Sequence, residues 1–195
     1  MKFFTADLHF GDNEIIKREW RPFKDIKEFE DVFVENVNKM AGEADELYVL
    51  GDWINYNSGH HPDPDEAFAI VRRLNPKVIL IMGNGEERVL REVYGNDFEY
   101  MRNKLKNHGF YDVLKDADVE IGGIKFHLIH CPMDHKKDCL NLFAHTHRGT
   151  GLWKPFGFNV CADLNYFRPF TEANILAMVE TKKNYWDKDS DTTCM

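Results

Sequence analysis

In ELYVLGD (46–52), Leu47, Tyr48, Val49 and Leu50 follow one another without a polar break, and the run stops on Gly51-Asp52. A short continuous apolar run closed by a turn signal reads as a buried strand. Before it lie a second such run, KFFTA (2–6), and an amphipathic helix over 28–40 with Phe29, Val32, Phe33, Val37 and Met40 at helical spacing. After it, Asp63-Pro64-Asp65-Glu66 signals a helix over 63–74, with Asp63 as N-cap and Pro64 at the first helical position. Ala67, Ile70, Val71 and Leu74 form its apolar stripe. KVILIM (77–82) is a third buried strand ending at Gly83-Asn84, and Val89, Leu90 and Val93 mark a helix over 86–94. This alternation predicts an α/β first half with a largely parallel sheet.

The second half has a different rhythm. ADVEIGGIKFHLIH (117–130) alternates about Gly122-Gly123, a hairpin signal. LNLFAH (140–145) and FNVCADL (158–164) read as further strands, and Thr171 caps a closing helix over 172–180. The expectation is a second, antiparallel-leaning sheet packed on the first, in a single domain over 1–183, with 184–195 as a flexible tail.

The 195 residues, 43% hydrophobic and 30% charged, suit a soluble globular chain with a sizeable core. A formal net charge of −8 argues against an extended nucleic-acid surface, which needs a basic footprint. It leaves a nucleotide substrate open, because bound divalent cations invert the local field. No apolar run approaches the roughly 20 residues of a membrane span. The N-terminus, MKFFTADLHFGD, is a poor secretory signal. Cys131, Cys139, Cys161 and Cys194 show no CxxC pairing, so reduced thiols in a cytoplasmic protein are expected.

Asp7-Leu8-His9, Gly51-Asp52, Gly83-Asn84, His130 and His145-Thr146-His147 each stand at the end of an expected strand. Ligand sites of open α/β sheets gather outside the carboxyl ends of strands, so these scattered signals can converge. Within the DxH and HxH pairs, i and i+2 side chains share one side of an extended backbone. Singly, Gly51-Asp52 and Gly83-Asn84 are turn chemistry, and His130 is a hydrogen-bonded buried histidine. Together they form an ordered set of metal ligands: Asp7, His9, Asp52, Asn84, His130, His145 and His147. Carboxylate, imidazole and amide donors suit Mn first, and also Fe, Zn or Ni, without a thiolate. The set serves two divalent transition metals if Asp52 bridges. Metals about 3.5–4 Å apart can hold a hydroxide between them for in-line attack on phosphorus.

The motifs DLH (7–9), GDWI (51–54), GNGE (83–86), LIHCP (128–132) and AHTH (144–147) resemble those of the calcineurin-like metallophosphoesterase superfamily. FGDNEIIKREWRPF (10–23) and NVCADLNYFRP (159–169) are similar to segments of its small bacterial and phage members. The resemblance implies an α/β fold, a two-sheet β-sandwich flanked by helices in four α/β/β/α layers. It also implies one metal on Asp7, His9, Asp52 and His147 and another on Asp52, Asn84, His130 and His145. Asp52, Asn84 and His130 then belong to the catalytic centre, and Glu86 orients a ligand from behind. The implied activity is hydrolysis of a phosphodiester or nucleotide-like phosphate by a metal-bridging hydroxide. A metal-binding scaffold with little turnover and a phosphomonoesterase or protein phosphatase are the alternatives. The expected partner is a small phosphate ester or nucleotide, with no membrane.

Two departures stand out. The histidine usual after the family's GN is Gly85 here, and the histidine of its FGH is Asp12. His60 and His61, in the loop NYNSGHHPDPD (55–65), either replace the lost imidazole or are solvent-exposed. Arg21 either binds phosphate bidentately or pins its own loop. Asp12 is either an extra carboxylate near the metals or an exposed turn residue. Phe156, Phe158, Tyr166 and Phe167 read as core rather than as a base-stacking platform.

Overall fold

The computed structural model describes residues 1–56, 62–149, 152–153 and 156–186. In chain order it runs β1 (Lys2–Thr5), α1 (Asn13–Arg18), α2 (Ile26–Met40), β2 (Glu46–Leu50), α3 (Pro64–Ala69), β3 (Lys77–Ile81) and α4 (Asn84–Glu92). Then follow α5 (Phe98–His108), β4 (Asp112–Leu114), β5 (Ala117–Ile121), β6 (Ile124–Leu128), β7 (Leu140–Phe143), β8 (Leu152–Trp153), β9 (Gly157–Asn159), β10 (Phe170–Thr171) and α6 (Glu172–Thr181). A further helical turn, Lys182–Trp186, prolongs α6 into the stretch read as tail, and 187–195 lie outside the described residues.

Local chemistry sets most of these boundaries. Asp25 caps α2 by accepting from the Glu28 N–H, and Asp63 caps α3 by accepting from Asp65 and Glu66. The Thr171 hydroxyl accepts from the Asn174 N–H at the start of α6. Gly122 and Gly123 have φ of 57° and 79°, the twin left-handed residues of a tight hairpin turn between β5 and β6. The helix expected from 86 begins two residues earlier, so Asn84 opens α4 and Glu86 reaches back to accept from the Gly83 N–H at 2.9 Å.

The first sheet has the order β10-β1-β2-β3-β4, with β1 to β4 parallel and β10 antiparallel to β1. The second has the order β5-β6-β7-β9-β8 and is mixed rather than antiparallel-leaning: β6, β7 and β9 run parallel, with antiparallel β5 and β8 at the edges. His130 follows β6, and His145 and His147 follow β7, so both strands release their histidines from their carboxyl ends.

Alternation along the strands builds two cores. Phe3, Leu47, Val49, Val78 and Leu80 pack with Phe29, Phe33, Val37, Phe68, Met101 and Leu105 of the helices. Phe4, Tyr48, Leu50, Ile79 and Ile81 face the other way and share a core with Phe126, Leu128, Leu142 and Phe158 of the second sheet. Ile175 and Val179 of α6 belong to that same core. No helix among the described residues is long and apolar enough to cross a membrane.

Because the sheets share one core, Phe126→Ala is expected to cost about 3–5 kcal/mol and to keep a single cooperative urea transition. Two separate transitions by fluorescence and circular dichroism would show that the sheets unfold independently.

Candidate metal centre

The seven residues singled out as ligands converge where the carboxyl ends of β1, β2 and β3 meet those of β6 and β7. Backbone hydrogen bonds continue past the strand ends to hold them there. Asp7 N–H donates to Gly51 O at 3.1 Å, His9 N–H to Asp52 O at 3.0 Å and Ala144 N–H to His130 O at 2.9 Å. The backbone itself is not extended. Asp7, His9, Asp52, His145 and His147 all have φ between 46° and 72°. The DxH and HxH side chains therefore converge by left-handed kinks rather than by strand alternation, which corrects the sequence expectation. Asp and His tolerate that region better than bulky residues, yet each such residue costs about 1–3 kcal/mol.

Two clusters form around Asp52. On one side, His9 Nε2 is 3.7 Å from Asp52 Oδ2 and 3.3 Å from His147 Nε2, and Asp7, His9 and Asp52 offer ligand atoms within 4.8 Å of one another. On the other, His130 Nε2 is 3.6 Å from Asp52 Oδ1, 3.0 Å from Asn84 Oδ1 and 3.1 Å from His145 Nδ1. His145 Nδ1 and Asn84 Oδ1 are 2.9 Å apart.

Hydrogen bonding on the far side of each ring fixes which nitrogen carries the proton. His130 Nδ1 is 2.8 Å from the Leu50 carbonyl, which only accepts, so this nitrogen donates and Nε2 of the neutral ring is a lone pair. His147 Nδ1 likewise faces the Asp163 carboxylate at 3.4 Å, which leaves its Nε2 lone pair towards His9. The buried His9 Nδ1 has no hydrogen-bond partner among the described residues. Imidazole nitrogens gathered with carboxylate and amide oxygens in this way make a donor set of the kind that binds divalent metal. The residues present thus fit bound metal.

The carboxylates are positioned with equal care. Asp52 Oδ1 accepts from Gly85 N–H at 2.9 Å, and Asp7 accepts from His145 N–H through both oxygens, at 3.2 and 3.1 Å. Glu86, fully buried, accepts from the N–H groups of Asp52, Gly83 and Ile54 at 2.9, 2.9 and 3.2 Å. It fixes the Asp52 backbone from behind the ligand cluster. Burial, and then the Asp52 charge, push its carboxyl up to about 7. Burial also raises Asp52 and, together with His147, lowers His9 well below its ordinary value. Burial acts to lower His130, but the Asp52 and Asp7 carboxylates outweigh it and raise that imidazole.

Arg21 pins its loop and is no phosphate clamp. Its buried guanidinium meets Asp163 at 2.7 and 3.0 Å and the carbonyls of Asp7 and Leu8 at 2.6 and 2.9 Å, and it lies 4.6 Å over the Phe29 ring. Asp163 was missed in the sequence as a positioning residue. The NVCADL stretch that carries it was the available signal. Burial acts to raise Asp163, but His147 and Arg21 hold it well below the carboxylate range. Asn159, also overlooked, donates to His147 O at 2.9 Å and to Thr146 Oγ1 at 3.0 Å. Cys161 Sγ lies 3.2 Å from Asp163, and its sulfur falls in a ligand-sized group with Asp7 and His147.

Asp12 is neither an exposed turn residue nor an added ligand. It is 1% exposed and caps α1 through Glu14 N–H at 2.9 Å, while Asn55 Nδ2 donates to it at 2.6 Å. His60 and His61 lie outside the described residues. Phe158 and Phe167 pack in the core as expected, whereas Tyr166 is 86% exposed. Gly85 has a steric reason. A Cβ there would stand 1.9 Å from the Ile54 carbonyl oxygen, so no side chain fits without backbone movement.

No family model matches the chain. An uncharacterized protein of Methanocaldococcus jannaschii is 26% identical over 130 residues, covering 67% of this chain and 58% of that protein. The match thus spans less than two thirds of that relative's length. A protein of unknown function from Aquifex aeolicus shares the fold, with a TM-score of 0.63 and 22% identity over 91% of this chain and 98% of its own. A looser likeness, with a TM-score of 0.46 and 14% identity, links 82% of this chain to 81% of an archaeal phosphodiesterase.

Two outcomes follow from this geometry. Gly85→His should destabilise the protein by about 1–3 kcal/mol or more instead of restoring a substrate-side imidazole; an unchanged melting temperature would contradict the close contact with Ile54. In metal-free protein, Glu86 titrates near 7 folded and 4.5 as an ordinary carboxyl. The folded state therefore holds a proton that the unfolded chain has released, and this stability is present below the lower value and lost as pH rises through about 7. The melting temperature of metal-free wild type should fall across that window relative to Glu86→Gln, and parallel pH profiles would refute it.

Proposed function

We propose that the chain is a phosphoesterase of the calcineurin-like metallophosphoesterase superfamily, with the four-layer α/β/β/α arrangement of that fold. Its reaction is hydrolysis of a phosphodiester or nucleotide-like phosphate at a two-metal centre. The observation that supports this most is the pair of ligand clusters sharing Asp52, with Oδ2 turned to His9 and Oδ1 to His130 at 3.7 and 3.6 Å. Asp7, His9, Asp52 and His147 would hold one ion, and Asp52, Asn84, His130 and His145 the other. Two divalent ions there, Mn first, would supply Lewis acidity, lowering the pKa of a water and neutralising phosphoryl charge.

The chain's own part is orientation. Leu50 O and Asp163 fix the tautomers of His130 and His147. Gly85 N–H and Glu86 keep Asp52 aimed between the clusters. Hydrolysis forms one P–O bond from water and breaks the bond to the leaving oxygen, which takes up the proton. Neither position 85 nor position 12 carries an imidazole to deliver it. A general acid is worth about 10²–10⁴-fold, so substrates with good leaving groups should turn over fastest.

The test is hydrolysis of bis-p-nitrophenyl phosphate by metal-stripped protein with Mn²⁺ restored. Turnover should return with the metal and fall by about 10²-fold or more in Asp52→Asn. Silence at about two bound metals per chain would leave a metal-binding scaffold, and a faster monoester would make the enzyme a phosphomonoesterase.

A further inference from the structure

A cavity of about 660 Å³ opens beside Asn84, His130 and His145. Small-molecule sites fall in the range of about 300–1,000 Å³. Two features of the fold furnish its walls with charge. The first is α4, which opens at Asn84 and carries Glu87 and Arg91 at i+3 and i+7, all on the cavity side. At 1.5 Å per residue, Arg91 stands about 10 Å along the helix from Asn84.

The second is β4. The parallel strands β1, β2 and β3 each release a candidate ligand from their carboxyl ends: Asp7, Asp52 and Asn84. β4 is the next parallel strand, and Met82 N–H donates to Leu114 O at 2.8 Å, so the following residue leaves the same edge. That residue is Lys115, which lines the cavity. Both cations are exposed. Among the described residues no carboxylate pairs with either, and the Lys115 ammonium stands 5.3 Å from the Phe98 ring. Met82, Leu90 and Ile129 supply an apolar wall, and Glu87, Asp116 and Asp134 supply hydrogen-bond acceptors.

We propose that this cavity is a subsite for a nucleoside-like part of the substrate that carries a second phosphate, which Arg91 and Lys115 hold. The proposal rests on the phosphoesterase reading and names the substrate class of that site. The Asn84 and Arg91 backbones are separated by about 10 Å of helix. A nucleoside spans the gap: its ring lies on the apolar wall, and its hydroxyl and amine donors meet the acidic groups.

The test compares three thymidine dinucleotides with Mn²⁺-loaded protein: TpT, its 5′-phosphorylated form pTpT and its 3′-phosphorylated form TpTp. Bis-p-nitrophenyl phosphate serves as the reference. Whichever end enters the cavity, one phosphorylated dinucleotide should exceed TpT in kcat/KM by about tenfold, mainly through KM. In the Arg91→Gln/Lys115→Gln double variant that advantage should shrink below about twofold, with TpT and reference turnover within about twofold of wild type. Lack of an advantage in wild type, or its survival in the double variant, would overturn the subsite while the reference reaction proceeds. Failure of the reference reaction in wild type would overturn the phosphoesterase reading, and the subsite with it.

Discussion

Buried negative charge is the constraint on which the structure turns. Asp7, Asp52 and Glu86 are 0%, 3% and 0% exposed at the place where two sheets meet. Carboxylates withdrawn from water are costly unless hydrogen-bonded or paired. The fold answers with backbone N–H groups at each: three at Glu86, one at Asp52 and the His145 amide at Asp7. Imidazoles cover the remaining oxygens. His9 and His147 turn Nε2 towards Nε2 at 3.3 Å, and among the described residues His9 Nδ1 has no hydrogen-bond partner. The Nε2 atoms and carboxylates that face one another form a donor set suited to a cation.

Holding these side chains so close requires backbone that a strand cannot provide. Left-handed residues recur at Asp7, His9, Asp52, His145 and His147, and backbone strain persists only where the surroundings over-determine it. The over-determination is visible in the Arg21–Asp163 pair. Its side chains are 0% and 1% exposed, and it ties the Asp7 and Leu8 carbonyls to the ring of His147. A buried arginine thus shapes the ligand geometry on two separate chain segments.

The parts of this that were legible in the sequence are those written in local chemistry. Asp63-Pro64 announced α3, Gly122-Gly123 the hairpin and Thr171 the last helix, and the ligand motifs stood at strand ends. The missed elements have weak patterns. β4 holds only Asp112, Val113 and Leu114, and α5 buries only Met101 and Leu105. The parallel pairing of β6, β7 and β9 is a long-range choice that alternation along each strand does not encode. Asp12 and Arg21 were ambiguous for a related reason. Their roles depend on Asn55 and Asp163, partners 43 and 142 residues away, and on which face of a loop turns inward.

Gly51 and Gly83 bring two chain segments nearly into backbone contact: a Cβ on Gly51 would lie 2.6 Å from the Gly83 Cα, and one on Gly83 would lie 2.5 Å from the Asp52 amide nitrogen. The separation between the segments bearing Asp52 and Asn84 is therefore set by main chain pressed against main chain, not by adjustable side chains. Such a contact acts as a stop that fixes how near the two segments can come. A side chain at either glycine would wedge the Asp52 and Asn84 segments apart and open the cluster they share.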